Sequence, residues 1–375
     1  MVRCGRLANA IVVHGNHAHV VARRCGGAPC TLAPAVGCVY ADHMRSWNLG
    51  LVAWLALSAS VSLLSQKPQG VGADGPWRIP VLVVNYLPRT ADGLRIDIAV
   101  TSNVDAPVTE IEEKCRRQTA ETIEALEQGS RFRAYKNPEA KPSLDYEVVH
   151  TETFYEAMPH DAKHPGYADY NAMLARIDVA TWVEKKGVRE IWFWGYHSKQ
   201  IAPNESNMAG PHGDVSNSYR HEDDLPRLSK TYTVYHYNYE RDTAMAVHNH
   251  LHQIEALMRA HGGELWQLFE GKAGAWRCGN CHFPPNARFD YDWRNKAPVD
   301  SDIADWRPEG LGKKERINCD LWGGDDLRWY VYWMQSIPGA ANGLEYRGHK
   351  LSNWWQIVGD YDATFDRKDK LLGKR

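Results

Sequence analysis

The order of hydrophobic and polar positions in the chain predicts strands and a long helix after the N-terminal region. Residues 79–84 (Ile-Pro-Val-Leu-Val-Val) are continuously apolar and rich in β-branched side chains, which predicts a buried strand. Residues 94–100 alternate between apolar and polar positions, which predicts a second strand with one face in water. Residues 107–128 have helical spacing, with Pro107 at the start and Gly129 just past the end, and predict a helix.

Predicted helices and strands alternate through the middle of the chain. A helix is predicted over residues 169–186, and a buried strand follows directly over 188–194. A further strand over 231–237 leads into a strongly amphipathic helix over 239–260. Residues 327–336 are aromatic-rich and predict another helix. Helices that alternate with apolar strands are typical of a sheet in which most strands run parallel.

These elements predict an α/β fold, with a single mixed or mostly parallel sheet flanked by helices. Residues 76–375 are expected to form this fold as one domain. Residues 271–326 have no clear period, so we expect a long aromatic-rich loop region in the C-terminal third. In folds of this class, ligands bind in the crevice at the carboxyl ends of the strands.

The N-terminal part of the chain has a different composition. Residues 1–43 contain four cysteines but no Lys and no Glu, and they show no structural period. Residues 44–65 combine a basic start at Met44 with an apolar run that is shorter than the roughly 20 residues of a membrane span, which predicts a signal peptide. Residues 66–75 then form a linker. We expect residues 1–43 to lie upstream of the true start or to be disordered; a Cys/His metal-binding tail is the alternative.

An exported protein would be secreted or periplasmic and would meet the membrane only through its signal sequence. The charge is nearly balanced, with 44 Lys+Arg against 46 Asp+Glu. A protein that coats nucleic acid needs a basic excess, so we expect no nucleic-acid partner. The oxidising environment outside the cytoplasm makes the remaining four cysteines candidates for disulfides.

The predicted helix over 239–260 carries the densest set of chemically active side chains. His248 and His252 are one helical turn apart, and Glu255 follows on the same face. Two imidazoles at this spacing can share one zinc ion, and a carboxylate can complete the ligand set. A metalloprotease helix has a glutamate base after its first histidine, but Asn249 stands here, so a base must come from elsewhere. A metal-free acid/base pair and a simple polar helix edge are the alternatives.

The loop after the 188–194 strand offers candidates for that base. Its long polar sequence contains Glu205, which is the leading acid/base candidate, and His197 lies at the predicted carboxyl end of the strand. The helix prediction places His248 about 13 Å along the helix from its first residue. If the crevice lies at the carboxyl ends of the strands, His248 would then lie far from the crevice. The sequence therefore leaves open whether these residues meet.

Cys278-Gly279-Asn280-Cys281-His282 matches the attachment motif of c-type haem. In that hypothesis Cys278 and Cys281 bind the haem covalently and His282 is an iron ligand. Two prolines follow immediately and disfavour the helix that usually carries the motif. A disulfide between Cys278 and Cys319 and a zinc site are competing hypotheses, and His282 can join the histidine helix as a further metal ligand.

The sequence also has 15 Trp, many of them in the last hundred residues, which suits either a large core or a sugar-stacking surface. It contains no nucleophile-elbow motif and no dinucleotide fingerprint. The leading hypothesis is an exported hydrolase of an extracellular polymer, glycan or peptide. Its catalytic candidates are Glu205, His197, His252 and Glu255, and its metal candidates are His248, His252, Glu255 and His282, with zinc favoured. A periplasmic haem protein and a non-catalytic glycan-binding protein are the alternatives.

Overall fold

A computed structural model of the chain describes residues 75–198, 201, 205–218, 223–261, 263–271, 277–310, 312–365 and 371–373. All of them belong to one compact unit, Ser65–Arg375. The predicted signal peptide, the segment before it and residues 66–74 of the predicted linker lie outside the described residues. No helix in the described part of the chain combines the length and apolar character needed to cross a membrane.

The largest structural element is a sheet of five strands. In chain order these strands are β1 Trp77–Tyr86, β2 Leu144–Phe154, β3 Glu190–Gly195, β4 Ser206–Ala209 and β5 Tyr232–Asn238. They are arranged in the order β2-β1-β3-β5-β4. The first four strands of this order run parallel, and β4 pairs antiparallel with β5 at one edge. Two short antiparallel pairs follow in the chain, β6 Val299–Ser301 with β7 Glu315–Ile317 and β8 Glu345–Tyr346 with β9 His349–Lys350.

Helices surround this sheet and connect its strands. They are α1 Ile98–Thr101, α2 Val108–Gly129, α3 Tyr170–Arg176, α4 Thr243–Ala260, α5 Glu264–Glu270, α6 Asp326–Met334, α7 Gln356–Gly359 and α8 Tyr361–Phe365. A π-helical turn covers Thr181–Lys185, and short 3-10 turns cover Ile303–Asp305 and Cys319–Trp322. The long helices α2, α4 and α6 pack against one another. This mostly parallel sheet with helices confirms the predicted α/β fold.

Strand β1 shows why the sequence forms such a sheet. Nine of its ten residues are buried, so both faces of the strand are covered, and β2 and β3 pair with its two edges. A strand covered on both faces needs apolar side chains at consecutive positions rather than at alternate ones. The continuous apolar run over 79–84 satisfies this requirement.

The tryptophans of the C-terminal third form the core of that region. Six of them are less than 2% exposed: Trp306, Trp322, Trp329, Trp333, Trp354 and Trp355. Their indole N–H groups are largely used inside the protein, as when Trp306 donates to the carbonyl of Ser336 at 2.6 Å. These six side chains therefore present no surface on which a sugar can stack, whereas Trp293 is only partly buried, and glycan binding stays a prediction.

Three local predictions were wrong in their details. The strand predicted over residues 94–100 is absent; its second half forms α1, because the Asp97 carboxylate accepts the Ala99 N–H at 2.9 Å and caps a helical turn. The helix predicted over 169–186 is interrupted at Asp178, which has a left-handed φ of 51°. The helix predicted from residue 239 begins only at Thr243, because Asp242 caps it.

Candidate metal centre

The first half of α4 positions two of the candidate ligands. Because α4 begins at Thr243, His248 lies about 7.5 Å along the helix rather than the larger distance expected from the sequence. On another side of the helix, Asn249 Nδ2 donates to the carbonyl of His236 in β5 at 3.2 Å. Gln253 Oε1 accepts the hydroxyl of Ser206 in β4 at 2.7 Å. These bonds hold α4 against the β5–β4 edge of the sheet.

The Cys278–His282 segment forms a turn that faces α4. Gly279 has a φ of 66°, and a Cβ at this position would lie 2.3 Å from the carbonyl oxygen of Phe283, so the turn requires glycine. Asn280 Oδ1 accepts the N–H groups of His282 and Phe283, both at 2.9 Å. The Cys281 N–H donates to Glu255 Oε1 at 2.9 Å, which joins the turn directly to α4.

Four side chains converge where this turn meets α4. His248, His252, Cys281 and His282 each offer one ligand atom, and these four atoms all lie within 4.8 Å of one another. The Nε2 atoms of His252 and His282 are 3.1 Å apart, and Cys281 Sγ lies 3.8 Å from Nε2 of His252. A tetrahedral zinc ion with ordinary bond lengths would separate two nitrogens by about 3.4 Å and a nitrogen and a sulfur by about 3.6 Å. The spacing therefore fits one transition-metal ion.

His248 is the innermost member of this group. It is 2% exposed, and neither ring nitrogen has a hydrogen-bond partner within the described part of the chain. Its ring centroid lies 4.3 Å from that of His252 and 5.0 Å from that of His282. Burial, together with the neighbouring His252 and His282, holds the pKa of His248 well below its usual range. The side chain is thus the neutral imidazole that a metal ion binds.

Each of the other two histidines has a carboxylate near its Nδ1 atom. His252 Nδ1 lies 3.8 Å from Glu255 Oε2, and His282 Nδ1 lies 3.7 Å from Asp290 Oδ1. A metal-binding histidine usually directs its second nitrogen at such a group, which fixes the ring and raises its basicity. The sequence did not connect Asp290 with a metal site, because no spacing rule relates it to His282.

Glu255 itself lies behind His252. Its Oε1 accepts the Cys281 N–H, and its Oε2 is 3.3 Å from the Arg259 guanidinium. Burial raises the pKa of this carboxyl, but the neighbouring His252, the Cys281 N–H and Arg259 outweigh burial and lower it below its usual value. Glu255 is therefore a charged group that orients His252. That Glu255 binds a metal directly stays a prediction. The geometry does not favour it, because both carboxylate oxygens face other groups.

Glu205 lies close to the four donor side chains, at the edge of the sheet that β4 forms. It precedes β4, whose first residues lie beside the carboxyl end of β5 because the two strands are antiparallel. Glu205 Oε2 lies 3.9 Å from His252 Nε2 and accepts a hydrogen bond from Asn217 Nδ2 at 2.7 Å. Its side chain is 31% exposed, so it borders both the histidines and solvent. The structure thus brings Glu205 and His252 together, which the sequence had left open.

His197 lies apart from the four donor side chains. Its ring neighbour is His236 in β5, at 5.8 Å between centroids, and His236 Nδ1 in turn lies 2.8 Å from the Tyr170 hydroxyl. Burial, with a smaller contribution from the charge of Arg241, lowers the pKa of His197 to about 4. The structure does not bring His197 into the group of four donors, and its catalytic role stays a prediction without geometric support.

The predicted disulfide between Cys278 and Cys319 is absent from the structure. The four described cysteines, Cys115 and Cys281 included, are free and buried. Burial, with the charge of Asp302 as a further cause, holds the pKa of Cys278 well above its usual range, while Cys281 faces His252 instead. Cys278 and Cys281 therefore lie in different surroundings.

The same geometry does not fit a covalently bound haem. A haem iron on His282 would need a flat apolar slot in front of Nε2, but that atom faces His252 Nε2 and the Tyr291 hydroxyl, each at 3.1 Å. The backbone of the CxxCH turn is also covered, since Trp333 Nε1 donates to the Gly279 carbonyl at 3.3 Å. The motif contains the residues that attach a haem. In the structure, however, they pack closely among other candidate metal ligands.

No protein family, no curated protein and no solved structure matches this chain.

Proposed function

We propose that this chain is a metal-dependent hydrolase that acts on an extracellular polymer, a glycan or a peptide. His248, His252 and His282 hold one divalent ion in this proposal, and Glu205 is the acid/base. The observation that carries the proposal is the convergence of three imidazoles from α4 and the CxxCH turn, one of them buried with both nitrogens unpartnered.

The kinds of donor atom favour zinc as the ion. Three imidazole nitrogens and a nearby sulfur suit zinc and related transition metals, whereas calcium and magnesium prefer sites built from oxygen. Catalytic zinc sites commonly use three protein ligands and keep a further position for water or substrate. The carboxylates of Glu255 and Asp290 support this role, because each lies beside the second nitrogen of a proposed ligand.

Glu205 supplies the chemistry that the metal ligands lack. A bound zinc ion lowers the pKa of its water towards neutrality and polarises the bond to be cut. The Glu205 carboxylate, 3.9 Å from His252 Nε2, is close enough to accept a proton from a water in front of the histidines and to return it to the leaving group. Asn217 holds one of its oxygens, which restricts the carboxylate to that side of the site.

The substrate class rests on the sequence. The predicted signal peptide over residues 44–65 sends the protein out of the cytoplasm, where polymers are the common hydrolase substrates. The site supports this choice in one respect: Glu205 and the 43% exposed Tyr291 lie at the surface, so a long chain can approach without entering a closed cavity.

The test combines metal removal with a small panel of substrates. The protein is treated with a chelator and then given one equivalent of zinc, and hydrolysis of 4-nitrophenyl acetate, casein and a set of polysaccharides is followed. At least one activity should disappear on chelation and return with zinc. His282→Ala should abolish it, while His349→Ala, which removes an exposed histidine far along the chain, should not.

Two results would contradict the proposal in different ways. An activity that is indifferent to the chelator but lost in Glu205→Gln would indicate a metal-free acid/base centre. A zinc-loaded protein that hydrolyses none of the panel, with the His282→Ala variant losing only its metal, would indicate a metal site without hydrolytic function.

A further inference from the structure

The thiol of Cys281 lies on the buried side of the three histidines, and the proposed hydrolytic centre does not use it. Cys281 is 2% exposed, and its backbone N–H is held by Glu255. Its Sγ lies 3.2 Å from Nδ1 and 3.8 Å from Nε2 of His252. The sulfur is therefore held beside the ring by the backbone of the turn, rather than reaching it through a flexible side chain.

The position of this sulfur changes how many ligands the protein offers. Sγ and the three imidazole nitrogens lie within 4.8 Å of one another, and four donors complete the tetrahedron that zinc prefers. Structural zinc sites are closed in this way, whereas catalytic ones keep one position free. Three histidines alone would leave a position for water, but three histidines and a cysteine leave none.

The two sides of the site differ in their access to solvent. His248 and Cys281 are both 2% exposed and form the inner side. The half-buried Glu205 and the exposed Tyr291 form the outer side. A water that Glu205 activates must approach from the outer side. A tetrahedral ion that holds three imidazoles has one further position, so it can take either this water or the sulfur, but not both.

We propose that Cys281 is a fourth protein ligand and occupies the coordination position that the hydrolytic water requires, so that release of the thiol opens the site. This inference rests on the proposed function. When the site closes, the S–H bond breaks, the sulfur binds the metal and the proton leaves to solvent together with the displaced water. When it opens, the thiol regains a proton and water returns to the metal. Neither direction needs an oxidant or a reductant.

Cobalt(II) tests this ligand directly, because a cobalt–thiolate bond gives a near-ultraviolet charge-transfer band that cobalt–imidazole bonds do not give. The protein loaded with one equivalent of cobalt should show the band, and Cys281→Ser should lose it. Cys115→Ser is the matched control, since Cys115 is also buried and free but lies in α2, and it should keep the band.

The Cys281→Ser and Cys115→Ser variants also test whether the thiol occupies the coordination position that the hydrolytic water needs. Cys281→Ser should bind zinc about tenfold more weakly or worse, because even residues that only orient a ligand cost about that much. Per bound zinc, it should hydrolyse 4-nitrophenyl acetate faster than the unaltered protein, whereas Cys115→Ser should match the unaltered protein. Cys281→Ala provides a second variant if the serine variant does not fold.

The possible failures are distinguishable. A protein that binds one cobalt without a charge-transfer band, or a band that persists in Cys281→Ser, overturns the proposed ligand and leaves the histidine site intact. A band that disappears without any gain in hydrolysis per bound zinc overturns the proposed closure. A protein that binds no cobalt contradicts the proposed function itself.

Discussion

Glu190 is a carboxyl group that the fold keeps protonated in its core, and this has a measurable effect on stability. Its side chain lies in β3 and is buried, with Trp192 Nε1 donating to Oε2 at 2.7 Å and the Tyr146 hydroxyl 3.4 Å from Oε1. Burial raises its pKa from 4.5 to about 8, and the two hydrogen bonds offset only part of that effect. In the unfolded chain the same group titrates near its ordinary value.

The sign and size of the effect follow from proton linkage. Between the unfolded and the folded pKa, the folded protein binds one more proton at Glu190 than the unfolded chain does. This contribution to stability is complete below about pH 4.5 and is lost as the pH rises towards 8. Each pH unit in that window removes about 1.4 kcal/mol, so roughly 2–3 kcal/mol is lost between pH 5.5 and pH 7.5.

Replacing Glu190 with Gln should remove this dependence, because the amide keeps an acceptor for Trp192 and does not ionise. Urea unfolding at pH 5.5, 6.5 and 7.5 measures the free energy of unfolding for both proteins. The difference between them should change by roughly 2–3 kcal/mol in favour of the variant over that range. Glu139→Gln at an exposed position is the control and should follow the unaltered protein. Parallel pH profiles for the unaltered protein and Glu190→Gln would refute the reasoning.

Three further predictions concern the candidate metal centre. Glu205→Gln should keep the metal and lower hydrolysis about 100-fold or more, since it removes only the acid/base; metal content and initial rates measured on the same sample test this, and loss of metal would contradict it. Glu255→Gln should weaken zinc binding about 10- to 100-fold, because it removes the charge beside His252 Nδ1, and a zinc titration against a chromophoric chelator measures the change. Gly279→Ala should abolish metal binding and destabilise the fold by roughly 1–3 kcal/mol, because its Cβ would meet the Phe283 carbonyl in a left-handed turn; a variant with normal zinc affinity would show that the turn does not position the ligands.

The sequence predicted the long elements well, because their signals are local. The apolar run of β1 and the helical spacing of α2 each depend on neighbouring residues alone. The interruption of α3 was not predicted, because it depends on Asp178 adopting a left-handed conformation, and the sequence around it continues to favour a helix. Strand β4 was missed because four residues carry no period, and its position depends on pairing with β5.

The candidate site was only partly predictable for a related reason. His248 and His252 share a helix, so their proximity follows from helical geometry. His282 and Cys281 reach them from a turn in another part of the chain. For the motif that contains them the sequence left haem, disulfide and zinc chemistry open, and it did not place Cys281 beside His252. The distance between Glu205 and His252 could not be derived, because it depends on where α4 starts and on the pairing of β4 with β5. Side chains that meet across elements need the tertiary structure, whereas those within one element do not.

We propose that the histidines of α4 and of the CxxCH turn bind one metal ion. Native mass spectrometry of the protein produced from Met44, purified without chelator or histidine tag, measures this binding. We expect a mass increase that corresponds to about one zinc ion per chain, unchanged in His349→Ala and absent in a correctly folded His248→Ala variant. A chain that carries no metal, even after zinc is supplied, or a His248→Ala variant that retains the full mass increase, would contradict it.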